Sequence, residues 1–117
     1  MAKEIKTATL PEGITQEMID EAKGKYSSVK LASLSTGEGE YLEDIVVHTP
    51  SAFVMTEFEK QIDRNSYKAK ALLIKGCVLG EARNRIAALP NNEELFNAAF
   101  SAAAEMLPIG KATLKNL

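Results

Sequence analysis

The sequence predicts an α+β domain: a short antiparallel β-hairpin packed against about four to five helices, with an all-helical C-terminal half. Three observations carry this expectation. Two β-rich runs, 29–34 and 41–48, flank a glycine-containing loop. Helix starts are legible at Thr15, at Thr49 with Pro50 behind it, and at Asn92. Residues 67–79, YKAKALLIKGCVL, are apolar on nearly every side of a helix, which belongs in a core.

In chain order, residues 1–13 mix Lys, Glu, Thr, Pro and Gly and read as a loose arm ahead of a single domain over 14–110. Thr15 caps the first helix, Ile14 and Ile19 are placed to form a hydrophobic staple across that cap, and Met18, Ile19, Ala22 and Tyr26 make its apolar side. This helix should stop near Lys25, because Ser27 and Ser28 break the pattern. The loop over 35–40, with Gly37 and Gly39, then joins the two strands. Tyr41, Ile45 and Val47 share one face of the second strand with Glu43, while Leu42, Val46 and His48 share the other with Asp44. The alternation leaves the buried face open.

Thr49 as cap and Pro50 at the first helical position predict a helix to about Arg64. Met55, Phe58 and Ile62 face inward with Val54 alongside, and Glu57, Lys60 and Gln61 face water. Asn65 or Ser66 caps the central helix and Gly80 ends it in a left-handed conformation. Lys75 and Gly76 in mid-run argue against a buried strand there. At thirteen residues the run is also shorter than the roughly 20 that a bilayer requires. A short helix over 81–89 carries Ile86 and Leu89, and Pro90 closes it. Asn92 caps the last helix, in which Phe96, Ala99, Phe100, Ala103 and Leu107 recur at helical spacing, while Asn97, Ser101 and Glu105 mark its wet face. Pro108 and Gly110 stop it, and 111–117 is a short polar tail.

Composition narrows function by exclusion. The 117 residues hold 14 Lys+Arg against 16 Asp+Glu, so the net charge of −2 gives no electrostatic pull toward nucleic acid or an anionic membrane. One cysteine forms no internal disulfide, and the first residues lack the apolar core of a signal peptide, so a cytoplasmic location is expected. His48 is the only histidine and Cys77 the only cysteine. An enzyme would need these two and the carboxylates of Glu38, Glu40, Glu43 and Asp44 to converge. The simpler expectation is a strand-end histidine, a core thiol and a solvated hairpin tip. Gly37-Glu38-Gly39 lacks the third glycine and the strand–helix setting of a nucleotide loop. No catalytic residue, cofactor or metal ligand set is expected.

The order of landmarks resembles the small tail assembly chaperones of bacteriophages and prophages. The resemblance runs from IDEAKGKYSSVKLASL (19–34) through His48-Thr49-Pro50-Ser51 and KAKALLIKGCVLG (68–80) to ELFNAAF (94–100), covering about residues 15–115. It implies an α+β fold and a non-enzymatic task in the host bacterial cytoplasm: binding hydrophobic segments of a tape-measure protein and recruiting tail-tube subunits. A small oligomeric regulator, with Arg83 and Arg85 as its basic residues, is the alternative. The last helix supplies a candidate protein-binding patch, Leu95, Met106 and Leu107, for a client or for a homo-oligomer.

Overall fold

The computed structural model describes residues 10–108 together with 114 and 116. Seven elements follow in order: α1 (Gln16–Lys25), β1 (Val29–Ser35), β2 (Tyr41–His48), α2 (Ala52–Gln61), α3 (Ser66–Cys77), α4 (Ala82–Ala87) and α5 (Glu94–Ala104). The α+β expectation holds, with one two-stranded antiparallel sheet and five helices among the described residues. Of the expected arm, residues 1–9 lie outside the described residues, as does the 111–117 tail apart from Leu114 and Asn116.

Thr15 caps α1 as expected, its hydroxyl accepting from the Met18 N–H at 3.1 Å, and the helix stops at Lys25. The hairpin register pairs Val29 with His48 and Leu34 with Glu43, with an irregularity between Leu34 and Ser35. The loop is organised by Thr36. Its hydroxyl accepts from the Glu38 and Glu40 amides, and Gly39 takes the left-handed φ of +91° that closes the turn.

The sheet buries Leu34, Ile45 and Val47 on one face, with Ala32 half-buried beside them, against Ile74, Val78, Ile86, Phe96, Ala99 and Met106. Val46 and His48, on the other face, are buried as well. Tyr26 at the end of α1 stacks on His48 with ring centroids 3.8 Å apart, so β2 is enclosed on both faces along its second half. The imperfect alternation of the sequence thus reflects a strand whose two halves have different surroundings.

The helix α3 is the centre of the molecule. Asn65 caps it, accepting from the Lys68 N–H at 3.0 Å, and Ala69, Leu73, Ile74 and Cys77 are fully buried. Its end departs from expectation. The chain becomes extended at Val78, which bridges to Val47, while the Leu79 N–H donates to the Val46 carbonyl at 2.9 Å. Gly80, at φ +81°, serves the turn that follows rather than the helix end.

Two caps are also displaced. Ser51, not Thr49, caps α2 by accepting from the Val54 N–H, because the Thr49 hydroxyl is already held by the Ser27 amide and hydroxyl. The helix ends at Gln61, short of Arg64, and Glu57 and Gln61 are half-buried instead of solvated. Glu93 occupies the cap position of α5 without a side-chain bond. The side-chain amide of Asn97 donates instead to the Asn91 and Glu93 carbonyls, tying the loop back onto the helix.

Candidate functional site

The chemistry-bearing side chains are dispersed among separate partners. His48 donates from Nδ1 to the Thr49 carbonyl at 2.9 Å and lies flat on Tyr26. Cys77 sits in a second cluster with Leu73 and Ala103, and burial pushes its thiol up to about 12, far from the thiolate a nucleophile needs. Glu43 holds Arg85 in a two-pronged pair at 3.1 and 2.7 Å, tying β2 to α4. Asp44 accepts from the Ser33 hydroxyl at 2.6 Å. Among the described residues no three His, Cys, Asp or Glu side chains come together as a metal set.

The three candidate binding residues of the last helix do not share one surface. Met106, only 6% exposed, closes the main core. Leu95 packs half-buried against that same cluster, whereas Leu107 packs against the Leu73–Cys77–Ala103 cluster.

A concave feature lies elsewhere, between β1 and α5. Residues 30–37 form one wall of a groove of about 600 Å³. Glu94, Asn97, Ala98, Ser101, Ala102 and Glu105 form the other, at the 3- and 4-residue spacing of a single helical stripe. Lining by β1 residues of both parities, with Val47 of β2 and Met106 at the floor, means that the groove takes in the edge of β1 as well as its core-side face.

Hydrogen-bond parity gives that edge its character. The Thr49 N–H donates to the Ser28 carbonyl at 3.1 Å, so residues 28, 30, 32 and 34 exchange bonds with β2 in the antiparallel ladder. Val29, Leu31 and Ser33 must then direct their N–H and C=O groups away from β2. The same rule holds on the opposite edge, where Val46, the partner of Leu31, turns its carbonyl outward to Leu79. Residues 78–79 thus cover the second half of the β2 edge, while among the described residues no strand pairs with the outer edge of β1. Leu31 is also 53% exposed beside it.

An open strand edge next to a helix can accept an extended segment as a third strand. Main-chain bonds then supply attachment and alternate side chains enter the groove. The small side chains of Ala98, Ser101 and Ala102 leave room for them. Sequence reading assigned this stripe of α5 to a wet face through Asn97, Ser101 and Glu105. The alanines between those residues were the available signal, but nothing in the sequence showed that β1 runs alongside. Searches with this chain against family models, curated proteins and solved structures returned no match.

Proposed function

We propose that the chain is a binding protein of the tail assembly chaperone type, which holds an extended, apolar segment of a tape-measure-like client and keeps it soluble before assembly. The observation that carries this reading is the outward-facing edge of β1 opposite the small-residue stripe of α5. The resemblance of 15–115 to tail assembly chaperones supplies the class of client, and tail-tube subunits as a further partner. The regulatory alternative has less behind it, because Arg85 is engaged by Glu43 and α4 is only six residues long.

The test is co-expression with a long, helical, tape-measure-like protein, scored by the soluble fraction of that client. The wild-type chain should retain the client. Ser33→Pro removes an outward N–H, which proline can replace at a sheet edge without breaking the ladder. It should leave a folded chain, checked by its melting curve, that no longer retains the client. Ala32→Pro, which removes an inward N–H, should unfold the hairpin and calibrates the parity. A folded Ser33→Pro chain that still solubilises the client would refute the groove, and a wild-type chain that never does so would refute the chaperone role.

A further inference from the structure

We propose that, in the absence of client, the β1–α5 groove receives residues 109–117 of a second copy of this chain, and that two copies exchange these segments reciprocally. The proposal rests on the strand-addition reading of the groove and names its resident partner.

Charge is the first argument. Glu94 and Glu105 stand exposed at opposite ends of the α5 stripe, eleven residues or about 16 Å apart. Neither carboxylate has an ion-pair partner among the described residues. Glu105 also occupies the C-cap of α5, where the helix dipole disfavours a negative charge and a cation would relieve it. The segment 109–117 reads IGKATLKNL, with two lysines and no acid. Lys111 and Lys115 are four apart, so on an extended strand they point to the same side about 13 Å apart, within side-chain reach of both glutamates. Ala112 and Leu114 would point to the other side.

Length and direction are the second argument. Nine extended residues cover about 30 Å, enough to span the roughly 23 Å of seven-residue β1. The exposure of Leu114 favours a neighbour over the chain's own groove. Met106 faces the groove and the main core, but Leu107 packs on the opposite side, against the Leu73–Cys77 cluster. Seven residues later Leu114 is 91% exposed. Reciprocal exchange closes a twofold dimer, the commonest symmetric assembly.

The 117-residue chain and three charge variants are compared by light scattering over a concentration series, with melting curves confirming that each is folded. The wild type should approach twice the 12.7 kDa chain mass. Lys111→Glu/Lys115→Glu and Glu94→Lys/Glu105→Lys should each weaken the dimer by about ten-fold or more. Combining all four substitutions should restore it, since the charges are then exchanged rather than lost. A wild-type chain that remains at 12.7 kDa up to millimolar concentration, or reversed variants that dimerise as tightly as wild type, would overturn the proposal. Ser33→Pro separates this inference from the one beneath it. If that variant loses client retention while the lysine reversals leave the wild-type mass unchanged, the groove stands and the 109–117 assignment falls. If Ser33→Pro changes neither client retention nor mass, both fall.

Discussion

His48 ends β2 with its ring on Tyr26 and its Nδ1 committed to the Thr49 carbonyl. Burial lowers its pKa from the ordinary 6.5. The bond to the Thr49 carbonyl opposes that shift, while Arg83 and Lys25 add to it. The folded chain therefore takes up its proton at lower pH than the unfolded chain does. Above about pH 6.5 the group has no effect on stability, and as pH falls below that value the unfolded state is increasingly favoured. The urea midpoint should drop between about pH 7.5 and pH 5.5, and His48→Gln should flatten that slope. An unchanged slope in the variant would assign the loss to carboxylates. The sequence located this residue at a strand end and left open whether it meets water or a backbone group. It gave no sign of the stacking, because Tyr26 and His48 meet only after α1 folds across the sheet. Cys77 was legible for a simpler reason: an apolar run on all sides leaves a thiol nowhere to go but the core.

At the scale of elements, the close approach of α2 and α3 depends on one missing side chain. A Cβ at Gly76 would lie 2.6 Å from Val54 Cγ1 and 2.9 Å from its Cγ2. Gly76→Ala gains about 1 kcal/mol in helix propensity but must push Val54 and α2 outward, so a net loss of about 1–3 kcal/mol is expected in denaturant unfolding. Adding Val54→Ala should recover part of that loss, and a Gly76→Ala chain more stable than wild type would show that Val54 yields freely. Helix and strand types were readable throughout because periodicity is local. The ends were less so, because each is set by a distant competitor. Ser27 holds Thr49 and moves the α2 cap to Ser51, while the Val46–Val47 edge pulls Val78 and Leu79 out of α3. Gly76 counted in the sequence only against a strand, since a contact 22 residues away leaves no periodic trace.

For the molecule as a whole, stability is unevenly distributed. The helix α3 has four buried residues and touches α2, α4 and α5, whereas α2 has none and rests mainly on α3, with Phe53 72% exposed at its start. Native-state hydrogen exchange should find the amides of α2 opening well before those of α3, by about ten-fold or more in rate. Equal protection in the two helices would mean that they open only together. The groove was the least legible feature, since it belongs to no single stretch. It exists because residues about 60 positions apart, on β1 and α5, end side by side.

The main core joins Leu34 and Ile45 of the hairpin to Phe96, Ala99 and Met106 near the other end of the chain. A consequence of that closure lies in the order of synthesis. The hairpin emerges from the ribosome before the four helices that follow it, with Leu34, Ile45 and Val47 on a face whose partners have yet to be made. No growing chain can seal this core before Met106 is in place. Folding is therefore tied to completion of the last helix rather than proceeding piece by piece, and during that interval the nascent hairpin is itself an apolar segment in need of cover.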